Sequence, residues 1–357
     1  MAYTTIDKPS DYFETVTYTG NGGTNSISSL DFQPDWLWIK CRSNANGSNI
    51  FDVLRGTNSI HSDTNGAQAD RASDGFTSLD NDGFTLNGSG SGGSINVNTR
   101  TYAAWNWKAG TSLNNSAGSN NGSIASTGSF STTAGFSVVK WSGSDAAGTI
   151  YTGLSGKIDF VILKNLSTTR NWIVKPKSFA ANDILYLQET SATVNAPGDG
   201  WIDVLTATNG TIGLVAGGSN TNPVKNVSED GFDYIAYCFQ KKQGFSSFGS
   251  YEGNGNADGT FVYTGFRPAF VMVKRTNGTG DFHMADNKRL GYNPDQNDLF
   301  ADLNNTEDSG NYTNILSNGF KLINSEATHN GSGNSFIYMA FAENPFTSSA
   351  GTPVTAR

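Results

Sequence analysis

The sequence predicts an all-β chain built from three homologous antiparallel β-sandwich repeats. Three observations carry that expectation. Glycine (42), asparagine (39), serine (39) and threonine (36) together make up about 44% of the 357 residues, and these residues form helices poorly and turns well. The aromatic residues, 7 Trp, 13 Tyr and 22 Phe, gather in short runs suited to half-buried strands. Finally, three segments recur in the same order along the chain, the signature of internal repetition.

The first recurring segment is an aromatic strand running into glycine: TVTYTGNG (15–22), VVKWSGSD (138–145) and FGSYEGNG (248–255). The second is a strand ending in lysine: FQPDWLWIK (32–40), KIDFVILK (157–164) and FRPAFVMVK (266–274). Its pattern is nearly continuously apolar, which predicts cover on both faces. The third is a strand of aromatics and alanines: YAAWNW (102–107), YIAYCF (234–239) and YMAFAE (338–343). The spacings agree. Tyr18 to Lys40, Trp141 to Lys164 and Tyr251 to Lys274 span 22, 23 and 23 residues. A further marker, DGFTL (82–86), returns as NGFKL (318–322) and more faintly as DGW (199–201). Asn-Gly and Asp-Gly pairs fall between the strands, where tight hairpins need positive φ.

These landmarks divide the chain into repeat 1 (1–108), a linker (109–134), repeat 2 (135–243), repeat 3 (244–345) and a C-terminal tail (346–357). The linker is almost wholly Gly, Ser, Asn, Thr and Ala, a composition that predicts flexibility. The second and third repeats are joined by only QKKQG (240–244), so they are expected to form one rigid body with repeat 1 held less tightly. Ile39, Ile162 and Met272 are expected to be buried at comparable positions.

Composition also excludes partners. The formal charge is −8 with only 15% charged residues, which leaves no basic footprint for nucleic acid. No run approaches the roughly 18 apolar residues of a membrane-spanning helix. The N-terminal MAYTTIDKPSDYF lacks the basic and apolar regions of a secretory signal. Cys41 and Cys238 lie in different repeats, each in an aromatic run, and are expected to remain reduced core thiols.

No catalytic set emerges. His61, His283 and His329 fall in non-equivalent loops without metal-ligand spacing and are expected to be solvated. The carboxylate pairs Glu307–Asp308 and Glu229–Asp230 adjoin Ser, Asn or Gly and read as wet turns rather than a glycosidase pair. Asp80-Asn81-Asp82-Gly83 and Asp295-Gln296-Asn297-Asp298 hold enough oxygens for Ca²⁺ but lack a regular EF-hand loop, so the expectation is no cofactor. Trp36, Trp38, Trp105, Trp107 and Trp141 are assigned to the core. Trp201 and Tyr292, flanked by turn residues, are the candidates for stacking on a sugar. Arg55 and Arg289 would add planar donors for sugar hydroxyls or carboxylates.

The strings DKPSDYF (7–13), YTGNG (18–22), FQPDWLWIK (32–40), FDVLRG (51–56), DGFTL (82–86), TYAAWNWKAG (101–110), GFSSFGSYEGNGNADGTFVYTGFRPAFVMVKR (244–275) and YMAFAENPF (338–346) resemble a family of marine phage structural proteins. Nearly the whole chain takes part. Repeat 2 departs most: Gly156-Lys157-Ile158-Asp159 replaces the loop that carries Pro34 and Pro268 in the others. The resemblance implies concanavalin-like or SPRY-like (jelly-roll) sandwiches and a virion protein of the tail or fibre type. The expected role is non-enzymatic host attachment, to a glycan or other receptor on the host surface. Other virion proteins would be partners, and the working form a homo-oligomer, a trimer by analogy with phage fibres. The alternative is a structural role in capsid decoration, collar or tail assembly; a polysaccharide-degrading tailspike stands third.

Overall fold

The computed structural model describes residues 3–88, 94–195, 202–203, 210–214, 227–289, 293 and 297–354. Antiparallel strands dominate. The only helical element among the described residues is one 3-10 turn, Pro9–Asp11, so none of their helices is long and apolar enough to cross a membrane.

Each repeat contributes one large and one small sheet, and the strand order recurs. In the first, the large sheet runs Phe13–Thr19, Thr101–Trp107, Trp36–Cys41, Asn49–Asp52 in space. In the second it runs Phe136–Ser142, Asp233–Phe239, Phe160–Asn165, Ile173–Pro176, and in the third Ser246–Glu252, Ser335–Pro345, Phe266–Arg275, Phe282–Asp286. The aromatic–alanine strand therefore lies between the opening strand and the Lys-ended strand in every repeat. The small sheets repeat likewise: Asn25–Ile27, Gly83–Leu86, Phe76–Asp80; then Gly148–Tyr151, Thr211–Leu214, Ile202–Asp203; then Phe261–Tyr263, Gly319–Leu322, Thr313–Leu316.

Alternation along each large sheet decides where its side chains go. Leu37, Ile39 and Cys41 turn toward their own small sheet and meet Phe76, Phe84 and Leu86. Val161 and Leu163 do the same against Ile150, Ile212 and Leu214, and Val271 and Val273 against Val262, Phe320 and Leu322. These are three separate sandwich cores. The intervening residues, Trp36 and Trp38, Phe160 and Ile162, Phe270 and Met272, point the other way into a fourth core shared by all three repeats. Trp36 stacks on Tyr237 at 4.5 Å, Phe13 on Phe341 at 5.1 Å, and Phe160 lies 5.8 Å from Phe248. Each repeat thus touches both others through aromatic rings. Burying one such side chain stabilises the fold by about 1.5–3 kcal/mol, and a large sheet alone would leave this entire face in water.

The shared core corrects the expectation that repeat 1 is held loosely. It also corrects the linker. Thr111–Asn115 and Ser126–Ser131 are strands that pair with each other and extend the second large sheet from its Phe136–Ser142 edge. Leu113 is buried and Phe130 half-buried against the second sandwich core. Backbone pairing and these apolar anchors override the flexible composition. Ile39, Ile162 and Met272 are all buried, but Ile39 faces its own sandwich core while the other two face the shared one. Counting back from the lysine, Ile39 is one residue out of phase.

The glycine of the recurring marker has a backbone reason. A Cβ on Gly83 would fall 1.8 Å from the Ile27 carbonyl oxygen, and one on Gly319 2.1 Å from that of Val262. In repeat 2 the equivalent strand is Thr211–Leu214, whereas the DGW segment at 199–201 lies outside the described residues.

Candidate functional site

The lysine that ends each recurring strand comes to lie at a seam between repeats. Lys40, Lys164 and Lys274 are all buried. Lys40 Nζ donates to Asn46 O at 3.0 Å and to Leu303 O of the third repeat. Lys164 Nζ donates to Asn65 O of the first repeat at 3.2 Å and to Asn165 O at 2.8 Å. Lys274 Nζ reaches Thr190 O at 3.0 Å and Ser191 O at 2.9 Å in the second repeat, and Gly280 O. The pattern is cyclic: first to third, third to second, second to first. Burial lowers the ammonium pKa to about 8 for Lys40 and Lys274, and burial with the Arg170 charge lowers that of Lys164 to about 7. Backbone bonds accompany each staple, among them Glu307 N to Arg42 O, Arg170 N to Asn65 O and Gly280 N to Thr190 O.

A second set of seam contacts contains the two arginines expected to meet a ligand. Arg55 Nε bonds Asp52 Oδ2 at 2.7 Å, and its Nη atoms serve Asn58 O, Ile50 O and the Tyr237 hydroxyl of repeat 2. Arg289 repeats the arrangement on Asp286 at 2.7 Å, while Asp286 accepts from Trp105 Nε1 of repeat 1 at 3.1 Å. Both guanidinium side chains are 1% exposed. This corrects their assignment as ligand donors: their guanidinium hydrogen bonds are taken up by buried groups of their own repeats and, for Arg55, by Tyr237 across the seam. By strand register the third copy of the Asp position is Pro176, so repeat 2 lacks the pair. Nor is Glu307 in a wet turn. Its carboxylate bridges Arg42 at 3.0 Å and Arg289 at 2.9 Å across the first and third repeats. Glu229 pairs with Arg170 at 2.9 Å.

Beside that bridge opens a cleft of about 500 Å³, walled by Asp281, His283, Asn305, Thr306, Asp308 and Tyr312 of repeat 3 and by Ala45 of repeat 1. Three buried side chains meet against it: His283, Asp298 and His329. His283 Nδ1 lies 3.0 Å and His329 Nε2 2.9 Å from the same oxygen, Asp298 Oδ2. Asp298 is held by reciprocal backbone bonds with Asp308. The His329 ring stacks on Tyr312 at 4.1 Å and 3°, and its carbonyl accepts the Tyr251 hydroxyl at 2.7 Å. Burial and the neighbouring His329 push the His283 pKa down to about 3, so its imidazole is neutral. Burial opposes charge on Asp298, yet the two imidazoles hold its carboxyl below the usual range.

The other repeats show what these positions ordinarily hold. Tyr18 donates to Ile95 O and Trp141 Nε1 to Val227 O, as Tyr251 does to His329 O, so Ile95 and Val227 are the counterparts of His329. Strand register makes Asn49 and Ile173 the counterparts of His283. Repeat 3 has therefore placed histidine where its siblings carry Ile and Val in the sandwich core. His283 and His329 are corrected from solvated loop residues to buried ones, and Asp298 is their common partner. Asp295 and Gln296 lie outside the described residues, as do Trp201 and Tyr292. Asp80–Gly83 is a two-residue hairpin turn, with the Asp80 carboxylate taken by Ser78 and Thr85 hydroxyls. Only a residue-by-residue comparison of the repeats could have signalled the histidines, because they are far apart in sequence and alike in no short motif.

Cys41 and Cys238 are buried and free, in different sandwich cores, as expected. The five tryptophans assigned to the core are all buried.

Fold and seams together define an all-β protein of sandwich units closed around a common core. The chain belongs to the family described as a domain of unknown function, DUF7483, whose model matches residues 8–345 and so spans every repeat. No curated protein and no solved structure matches it.

Proposed function

We propose that this chain is a non-enzymatic virion protein, tail-fibre or tail-associated, that contacts glycan on the host surface. The observation that carries this reading is the cleft at the seam of the first and third repeats. Its Asp281, Asp308, Asn305 and Thr306 offer acceptors and donors suited to sugar hydroxyls, and the Tyr312 ring offers a stiff apolar wall. Loops on a rigid β scaffold are free to vary while the scaffold stays fixed. The resemblance of its sequence strings to marine phage structural proteins supports a virion location, with other virion proteins as partners. Homo-oligomers, trimers first, would multiply a shallow site into avidity; light scattering that gives a mass near 38 kDa at micromolar concentration would remove that part. A glycan array tests the main reading. Binding to at least one glycan class is expected, and Asn305→Ala with Thr306→Val should weaken it. A blank array, or binding indifferent to these substitutions, would sink it.

A structural role in the particle is favoured by a different observation. Among the described residues the exposed large apolar side chains are Phe261, Tyr263 and Val354, and the first two project from one edge strand. Strand register places Ser26 and Ser28 at these positions in repeat 1, and Thr149 and Tyr151 in repeat 2. An aromatic pair confined to one repeat suits a contact with another virion protein. Loss of particle incorporation in Phe261→Ser/Tyr263→Ser, with glycan binding intact, would select this reading.

A further inference from the structure

We propose that His283, Asp298 and His329 form a binding site for one divalent transition metal ion of the zinc type. Two imidazoles and a carboxylate are a ligand set that such ions take. The geometry is close to that of a loaded site. In a tetrahedral site, ligands about 2.0–2.1 Å from the metal stand about 3.3–3.4 Å apart, a few tenths of an ångström beyond hydrogen-bond distance. The two nitrogens lie 3.0 and 2.9 Å from Asp298 Oδ2, and all three ligand atoms fall within 4.8 Å of one another. Metal uptake would exchange a shared proton network for a shared cation, with the rings and the carboxylate adjusting from hydrogen-bond to coordination spacing.

Two further observations separate this from an inert hydrogen-bonded trio. The rings are fixed from outside: Tyr312 stacks on His329, Thr328 Oγ1 lies 3.2 Å from its Nδ1, and Phe300 lies 4.9 Å from the His283 ring at 68°. Such supporting contacts preorganise ligands. His329 replaces the apolar Ile95 and Val227 of the sibling repeats, and His283 stands where they carry Asn49 and Ile173. Departures of this kind from local consistency mark functional positions. The cleft that His283 lines gives an entry path and water for the remaining coordination positions, and Asp281 and Asp308 in its walls favour a cation electrostatically.

The test is a titration of the full chain, stripped with EDTA, with Zn²⁺ followed by calorimetry and with Co²⁺ followed by visible absorption. One equivalent of either ion should bind, Co²⁺ should develop ligand-field bands, and Zn²⁺ should raise the melting temperature. His283→Asn and His329→Ile install the residues that repeat 1 carries at the same places, so both variants are compatible with the sandwich. Each should abolish the stoichiometric uptake and the Co²⁺ spectrum while circular dichroism stays unchanged. Absence of uptake by the wild type at neutral pH would overturn the proposal outright. Uptake that survives in the double variant would place the ion elsewhere and overturn it equally. Glycan binding is a separate measurement, and its failure leaves this result unaffected.

Discussion

At the scale of single residues, the interior of this protein holds more charge than its composition suggests. Asp52 and Asp286 are buried and each is answered by an arginine three residues on. Removing one partner strands the other. Arg55→Met should destabilise the chain by about 3–5 kcal/mol, because it leaves the Asp52 carboxylate uncompensated. Adding Asp52→Ala should recover part of that loss, and a double-mutant cycle in urea measures the coupling; strict additivity would refute it. Asp302 gives a pH-dependent case. Its Oδ1 accepts from Phe282 N–H at 2.9 Å, its Oδ2 has no partner, and burial raises its pKa to about 7. An acid raised in the folded state holds its proton there after the unfolded chain has lost it. Stability from this group therefore falls as pH climbs from about 4 to about 7. Asp302→Asn should be nearly neutral at pH 4 and stabilising by roughly 2–4 kcal/mol at pH 8. Thermal melts at the two pH values check the sign, and a gain that is equal at both would refute the mechanism.

Among the elements, the Lys-ended strand does two jobs with one pattern. Its alternating residues divide between a private sandwich core and the shared core, and its last residue reaches into the next repeat. Lys274→Met should keep the packing of the stem but leave the Ser191 and Gly280 carbonyls without their donor, and Thr190 O with the Gly280 N–H alone. Each buried acceptor so orphaned costs about 1–3 kcal/mol, so a loss of several kcal/mol is expected in denaturant melts; a change below 1 kcal/mol would show that water replaces the ammonium. For the 109–134 segment, hydrogen–deuterium exchange should find the amides of Ser126–Ser131 protected, since that strand is paired on both sides. Exchange at the rate of a free peptide would restore the linker reading. What sequence alone could tell divides along physical lines. Strand identity, the all-β class and the buried tryptophans follow from local composition and alternation. The ordered linker does not, because its strands owe their order to a sheet edge supplied by Phe136–Ser142. Arg55 and Arg289 read as exposed donors because Asp-x-x-Arg carries no sign of burial until Tyr237 and Trp105 arrive from other repeats. The His–Asp–His cluster was equally hidden, its members brought together from positions 283, 298 and 329.

For the whole molecule, the decisive feature is that every large sheet is apolar on both faces. A single repeat cannot cover its Trp36, Trp105 and Trp107 side without the other two, so residues 1–108 expressed alone should aggregate or remain unfolded. The intact chain should unfold in one transition, with calorimetric and van't Hoff enthalpies in agreement. Three resolved transitions would mean that the repeats are independent after all. Covalent fusion of the three repeats has a consequence for how the seams can change. In an assembly of three identical chains, any substitution is imposed on all three contacts at once. Here each contact is encoded separately. Asp52 meets Tyr237 and Asp286 meets Trp105, while the third pair of equivalent positions is Pro176 and Met339, with neither an acid nor a donor to satisfy. The chain can therefore convert one seam from polar to apolar, or recess a pair of histidines into one sandwich, without asking the other two copies to tolerate the same change.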